Sequence, residues 1–153
     1  MLESPAEVTV RMKAFRSFVV CVLILLPAVS FAGDRFDGKW LTTYTCPAKG
    51  NTESFTWKFA SEITGGNFHG EHGNAGDPGY LVIQGPIKDD GTAKLTANGI
   101  VASRKYARGV FSHSGAEYNF NLKAKFNETE GTGQRDEGLG VYGRACTFEF
   151  VKQ

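Results

Sequence analysis

Apolar and polar residues alternate along several short runs of this chain, and this period of two constrains the fold more than any other feature. In the clearest run, every even position from 118 to 126 is apolar, and the residues between are asparagine or lysine. Such alternation gives an extended strand one dry face and one wet face. No helical period of useful length follows residue 33. The sequence therefore predicts an all-β domain.

Turn-forming residues separate the alternating runs. Glycine, aspartate, proline and serine cluster at 65–66, 77–79, 89–91 and 114–115, and these residue types favour tight turns. About eight strands are predicted, including a weak one at 106–112. The glycine-rich stretch 131–143 is predicted to be a connection into the last strand. Connections this short favour a meander of antiparallel neighbours.

Two cysteines, Cys46 and Cys146, lie near the two ends of this β region. An even pair in an oxidising compartment predicts a disulfide. If the first and last strands pair antiparallel with these cysteines opposite each other, Tyr44 falls beside Phe148, and both lie on apolar faces. A slip of one residue would place aromatic side chains against polar ones. We therefore expect a small closed antiparallel barrel of about eight strands, with a β-sandwich as the alternative.

The N-terminal segment has the three-part order of a secretory signal peptide. A basic stretch with Lys13 and Arg16 precedes an apolar run at 18–26, and Ser30 and Ala32 occupy the −3 and −1 positions of a cut after Ala32. The uninterrupted apolar run is about half of the roughly 20 residues that a spanning helix needs. This order predicts a periplasmic or secreted protein with no membrane anchor after processing.

Three segments are expected along the chain. Residues 1–11 carry acid where a signal peptide is basic, so translation is predicted to start at Met12 and these residues to be a mis-annotated leader. Residues 12–32 are the predicted signal peptide, and residues 33–153 the single barrel domain. That length is sufficient for one hydrophobic core.

The predicted mature chain is electrically balanced. Three of the 17 basic and two of the 16 acidic residues precede residue 33, so 14 of each remain. Nucleic acids and acidic membranes require a surplus of basic residues on one face of the protein. Neither is therefore expected as a partner.

A Gly-x-Trp motif, Gly38 to Trp40, opens the first predicted strand. This motif is similar to the start of lipocalins and avidin-like barrels. The resemblance implies that Trp40 closes one end of the barrel and that Arg144 covers Trp40 or another ring. With Tyr44 and Trp57, these two residues form the candidate ligand-binding set. An ordinary core role for Trp40 is the favoured alternative.

Further motifs span the whole predicted domain. They are F-D-G-K-W at 36–40, C-P at 46–47, G-N-F-H-G-E-H-G at 66–73, D-D-G-T-A-K-L at 89–95, G-T-G-Q-R at 131–135 and G-R-A-C at 143–146. Through these motifs the chain resembles a family of small exported alphaproteobacterial proteins without an assigned function. The stretch 136–142 is longer here than the link usual in that family. The resemblance implies a fold and no chemistry.

One cluster, His69, Glu71 and His72 with Asp77 nearby, has the residue types of a metal site. On a strand, His69 and Glu71 would share one face and His72 would point to the other. A glycine-rich loop could gather them instead. The sequence favours solvated turn residues, with His72 packed beside Phe68. A metal-dependent hydrolase is the third hypothesis for function.

No sequence motif for catalysis is present: the chain has no G-x-S-x-G elbow, no spare cysteine and no phosphate loop. The predicted function is therefore a non-catalytic exported barrel, without a cofactor, that binds a small ligand or a macromolecule. The alternative is an inhibitor of an exported enzyme. The Tyr44-Thr-Cys46 segment before a strand at Phe55 is similar to periplasmic lysozyme inhibitors, which are also disulfide-tied eight-stranded barrels, although their Ser-Ala-Ser-Gly segment is absent.

The predicted inward positions hold eleven large aromatic rings, which would fill much of an eight-stranded barrel. They are Trp40, Tyr44, Phe55, Trp57, Phe59, Phe68, Tyr118, Phe120, Phe126, Phe148 and Phe150. A pocket is therefore expected at one rim at most. The predicted loops 67–80 and 128–142 are the other candidate binding elements.

Overall fold

The computed structural model of the protein describes residues 35–107, 113–135 and 144–153. Within these ranges, eight antiparallel strands form one closed barrel in which each strand pairs with its neighbours in sequence and the last returns to the first. The strands are β1 (Gly38–Cys46), β2 (Phe55–Thr64), β3 (Asn67–His72), β4 (Leu81–Pro86), β5 (Thr92–Ile100), β6 (Glu117–Phe126), β7 (Glu130–Arg135) and β8 (Thr147–Lys152). The predicted barrel is confirmed, and the sandwich alternative is wrong.

The pairing of β1 with β8 closes the barrel in the predicted register. Tyr44 lies opposite Phe148. Cys46 and Cys146 form a disulfide with a Cα–Cα distance of 4.2 Å. The bridge links positions 100 residues apart, and a loop of that size corresponds to about 4–5 kcal/mol in the chain-entropy model. Because β1 ends at Cys46, the disulfide lies at one end of the barrel, which we call the disulfide end.

The core follows the alternation in the sequence. In β1, the four inward residues Trp40, Thr42, Tyr44 and Cys46 are each at most 1% exposed. All eleven aromatic residues predicted to face inward belong to the buried core or pack against it. Burying each large apolar side chain contributes roughly 1.5–3 kcal/mol.

The end of the barrel opposite the disulfide is filled by aromatic rings. The Trp40 indole meets the Phe126 ring edge-on with centroids 5.6 Å apart, and its Nε1–H donates to the Phe36 carbonyl at 3.0 Å. The Phe150 ring lies 4.7 Å from Phe126 and 5.2 Å from Phe68. We call this the closed end, because these rings leave its interior packed.

Two strand predictions are corrected. Arg104–Tyr106 forms a single 3-10 turn instead of beginning a strand, and residues 108–112 lie outside the described residues. The stretch predicted as a glycine-rich connection contains β7. Its inward residues are Gly131 and Gly133, so this strand carries no apolar alternation for the sequence to reveal.

The predicted loop 67–80 is also wrong in its first half, since β3 occupies residues 67–72. Phe68 and Gly70 face inward there, and a Cβ atom on Gly70 would lie 2.8 Å from the Ser61 Cβ. Only glycine fits at position 70, because β2 comes so close. In the sequence, this glycine led to the prediction of a loop. Likewise, residues 130–135 of the predicted loop 128–142 are strand.

Residues 1–34 lie outside the described residues, so the leader, the signal peptide and the cut after Ala32 stay predictions. No helix within the described ranges has the length and apolar character needed to cross a membrane.

Candidate functional site

A cavity of about 160 Å³ lies at the disulfide end. Most of its lining is aromatic or aliphatic, with two arginines. The lining residues are Tyr44, Cys46, Phe55, Trp57, Val101, Ala102, Tyr106, Ala107, Tyr118, Arg135 and Arg144. An engineered protein cavity of about 150 Å³ holds benzene. The cavity therefore has the size of one six-membered ring.

The Tyr44 ring is fixed in place by its neighbours. It stacks on Phe148 with centroids 4.3 Å apart and an interplanar angle of 3°. Phe55 and Trp57 approach it edge-on at 5.4 and 6.0 Å. Such stacked and edge-on pairs contribute about 0.5–1.5 kcal/mol each beyond burial. Tyr44 is thus a rigid wall of the cavity.

Trp57 is held by a histidine from the neighbouring strand. The His72 ring stacks on the indole with centroids 4.3 Å apart and planes 2° from parallel. Its Nδ1 lies 2.9 Å from the Gly79 carbonyl oxygen, so Nδ1 carries the proton and donates it. The half-buried Trp57 is therefore positioned by a stack that is itself fixed by a hydrogen bond.

Tyr118 lies flat against the barrel wall because its cross-strand partner is a glycine. Gly99 is paired with Tyr118 in the register of β5 and β6. A Cβ atom at Gly99 would lie 2.5 Å from the Tyr118 ring. The missing side chain therefore lets this tyrosine line the cavity.

Arg144 is 4% exposed and directs its donors at backbone carbonyls. Its Nε donates to Pro47 at 2.9 Å, its Nη1 to Tyr106 at 2.8 Å and its Nη2 to Glu53 at 2.6 Å. The guanidinium carbon lies 5.4 Å from the Phe55 ring centroid. Arg144 therefore joins the segment after β1 to the 3-10 turn and anchors the rim of the cavity.

Arg135, the last residue of β7, supplies the second positive charge. Its guanidinium carbon lies 4.3 Å above the Phe120 ring centroid, and Arg135 and Tyr44 both line the cavity. Burial raises the pKa of Tyr44, and the charges of Arg135 and Arg144 oppose that rise. Burial also raises the pKa of Tyr118. No acidic residue of the described ranges lines the cavity.

Of the four candidate ligand-binding residues, the structure brings three together. Tyr44, Trp57 and Arg144 all line the cavity. Trp40 lies at the closed end, 1% exposed, with the Lys152 Nζ 5.9 Å from its ring centroid. Arg144 was expected to cover Trp40 or another ring, and the ring that it covers is Phe55. Trp40 has the core role that the sequence favoured.

The histidine cluster lies on β3 and is divided between the two faces of the strand. His69 and Glu71 point outward, with Nε2 and Oε1 2.9 Å apart. His72 packs inward on Trp57 instead of beside Phe68. The prediction that His69, Glu71 and His72 are turn residues is therefore wrong. They lie on a strand, where His72 points to the opposite face from the other two. In the part of the chain that the structure describes, no three histidine, cysteine, aspartate or glutamate residues are grouped to hold a metal ion.

From the sequence, four lining residues were not assigned to the candidate site. They are the aromatic residues Phe55, Tyr106 and Tyr118 and the cation Arg135. In an up-and-down barrel, even strands start at the end where odd strands finish, so Phe55 and Tyr118 share the end marked by Cys46. The order and direction of the predicted strands would therefore have put Phe55 and Tyr118 at the same end as Cys46. Arg135 was missed because β7 was predicted to be a connection. Tyr106 lies in an irregular segment with no periodic signal.

Comparison of this chain with protein-family models, with curated proteins and with solved structures found no match. The resemblances to lipocalins, to lysozyme inhibitors and to the alphaproteobacterial family stay predictions from sequence. The geometry of the cavity is therefore the basis for assigning a function.

Proposed function

We propose that this protein is an exported, non-catalytic binding module that holds one small ring-shaped ligand in the cavity at the disulfide end. The observation that carries the proposal is the contrast between the two ends of the barrel. One end is packed with rings around Trp40, and the other encloses about 160 Å³ between fixed aromatic walls. Small-ligand sites are typically concave and apolar, with a few polar groups, and occur in the mouths of β-barrels.

The dimensions restrict the ligand. Sites for drug-sized molecules occupy about 300–1,000 Å³, and this cavity is smaller. Its walls include Tyr44, Trp57 and Tyr118, whose faces and edges favour contact with a flat ring. A single aromatic or similarly flat ring satisfies both conditions.

Export is part of the proposal. A disulfide between Cys46 and Cys146 persists in oxidising compartments such as the periplasm. This agrees with the signal peptide predicted at 12–32. The ligand would then be met outside the cytoplasm.

The test fills the cavity without changing the barrel. Ala102 is half-buried and lines the cavity, so Ala102→Phe occupies the space a ligand would take. Ala60→Phe makes the same change on the exposed face of β2 and is the matched control. Thermal unfolding is followed with a panel of one-ring aromatic compounds. A ligand at about 100 times its Kd stabilises the fold by about 2.7 kcal/mol.

The wild type and Ala60→Phe are expected to gain stability with at least one compound of the panel, and Ala102→Phe to gain none. The proposal fails if no compound stabilises the wild type. It also fails if Ala102→Phe responds as the wild type does, because the compounds would then bind elsewhere.

A further inference from the structure

We propose that the ligand of this cavity is a one-ring aromatic carboxylate and that Arg135 binds its anionic group. This inference rests on the proposed function and adds the chemical class of the ligand. It is carried by the charges around the cavity, by the position of the Arg135 guanidinium and by the volume between the aromatic walls.

The cavity lining contains two cations and, within the described ranges, no acid. The donors of Arg144 are directed at the carbonyl oxygens of Pro47, Glu53 and Tyr106. Arg135 differs, because its guanidinium lies over the Phe120 ring. Of the ion pairs between described residues, none includes Arg135. Arg135 is half-buried, and an anionic ligand would provide the opposite charge that favours a partly desolvated cation.

The guanidinium is held in a fixed orientation. The Arg135 backbone N–H donates to the Cys146 carbonyl at 3.0 Å, which fixes the end of β7 beside the disulfide. The Phe120 ring lies 4.3 Å from the guanidinium carbon and covers one face of it. A guanidinium has five N–H donors in one plane. These donors suit the two oxygens of a carboxylate, which arginine binds in a bidentate manner.

Tyr44 adds a second polar group at the same place. Its hydroxyl belongs to the same cavity lining as Arg135 and has one O–H proton that can donate to a ligand oxygen. Because burial raises the pKa of this phenol, the hydroxyl keeps its proton at neutral pH. Arg135 and Tyr44 together therefore offer N–H and O–H donors to a single anionic group.

The walls and the volume define the rest of the ligand. A cavity of about 160 Å³ has room for one ring. Trp57 and Tyr118 flank that space with aromatic surface. Arg144 donates to backbone carbonyls, so Arg135 is the lining arginine proposed to meet the ligand. One negative charge matches it, which favours a carboxylate over a doubly charged phosphate.

The test compares three probes by isothermal titration calorimetry. Benzoate has the ring and the charge, benzyl alcohol has the same ring without the charge, and acetate has the charge without the ring. Benzoate is expected to bind the wild type at least about tenfold more tightly than benzyl alcohol, since a hydrogen bond to a charged group is worth at least that factor. Acetate is expected to bind more weakly than either.

Variants assign the preference to one side chain. Arg135→Met is expected to abolish the tenfold preference for benzoate, and Arg135→Lys to keep part of it because the charge remains. Lys94→Met removes a charge from the exposed face of β5 and is expected to keep the preference in full. Circular dichroism verifies that each variant is folded.

The outcomes separate this inference from the proposed function. Equal binding of benzoate and benzyl alcohol to the wild type overturns the inference and leaves the proposed function standing. Binding of neither ring compound overturns both. A preference that persists in Arg135→Met overturns the assignment to Arg135.

A salt series replaces Arg135→Met if that variant does not fold. Added salt screens the attraction between charges. It is therefore expected to weaken the binding of benzoate to the wild type and to leave benzyl alcohol binding unchanged. An identical response of the two probes overturns the inference.

Discussion

At the scale of single residues, the Arg144 guanidinium lies among carbonyl oxygens from separate segments of the chain. Pro47 and Glu53 lie in the connection between β1 and β2, and Tyr106 ends the 3-10 turn. Lys105 of the same turn also reaches this connection, through an exposed ion pair with the Glu53 carboxylate at 3.3 Å. Arg144, which is 4% exposed, supplies the buried charged link between the connection and the turn.

Replacing Arg144 by methionine keeps most of the apolar stem and removes every one of these donors. We expect Arg144→Met to lower the free energy of unfolding by about 3 kcal/mol, because buried carbonyls lose charge-assisted hydrogen bonds. Arg104→Met removes an exposed arginine from the same region and is expected to change it by less than about 0.5 kcal/mol. Urea unfolding measures both. Equal effects of the two substitutions would contradict the role given to Arg144.

Tyr118 makes the free energy of unfolding depend on pH in the alkaline range. Burial, with a contribution from Tyr44, raises the pKa of its phenol above the ordinary value. An unfolded tyrosine loses its proton near pH 10, whereas the folded one still holds it. The stabilising contribution is therefore complete below about pH 10 and is lost as the pH rises beyond it.

The free energy of unfolding should accordingly fall less steeply above about pH 10 in Tyr118→Phe than in the wild type. Denaturant unfolding at a series of alkaline pH values measures the slope. Trp57→Phe changes another aromatic wall of the cavity but keeps all tyrosines, and its slope should match the wild type. The same slope in Tyr118→Phe and the wild type would show that this phenol is not buried.

At the scale of strands, inward glycines explain both what the sequence revealed and what it hid. β6 was predicted because Phe120, Leu122 and Phe126 alternate with polar residues. β7 packs against it with Gly131 and Gly133 inward, so the partner of the clearest strand resembles a loop. The large side chains of β6 fit inside the barrel because β7 has glycines at the facing inward positions. The hydrophobicity of a single strand does not reveal this complementarity.

Adding one methyl group to β7 tests that complementarity. A Cβ atom at Gly131 would lie 2.8 Å from the Phe126 Cδ1 and 3.0 Å from the Lys125 carbonyl oxygen. We expect Gly131→Ala to destabilise the fold by about 1–3 kcal/mol through overpacking. Thr132→Ala alters the exposed neighbour on the same strand and should change stability by less than half of that amount. Chemical denaturation compares the two, and a neutral Gly131→Ala would contradict the packing.

The register of β1 with β8 could be predicted because two independent signals agree on it. The cysteine pair and the inward aromatics Tyr44 and Phe148 select the same alignment. The rim of the cavity offered no such signal. Contacts such as those of Arg144 join a side chain to backbone carbonyls about 90 or more residues away, and the sequence carries no pattern for them.

At the scale of the whole molecule, the barrel has two unlike ends. The closed end buries Trp40 among phenylalanine rings and hydrogen-bonds its indole to Phe36. The disulfide end encloses a cavity with Trp57 in its wall and two arginines at its rim. The packed end and the continuous hydrogen-bonded sheet hold the cavity walls in place, so a ligand would meet a largely pre-formed site.

The chain places one tryptophan at each end and contains no others, so fluorescence can report on the two ends separately. Trp57→Phe leaves Trp40 as the only emitter, and Trp40→Phe leaves Trp57. Iodobenzoate is a one-ring carboxylate whose iodine quenches an indole on contact. Titration of both variants with this probe tests most directly at which end the barrel binds its ligand.

Saturating iodobenzoate is expected to quench the emission of Trp57 and to leave that of Trp40 unchanged. Quenching of Trp40, or equal quenching of both, would contradict a barrel that binds its ligand at the disulfide end alone.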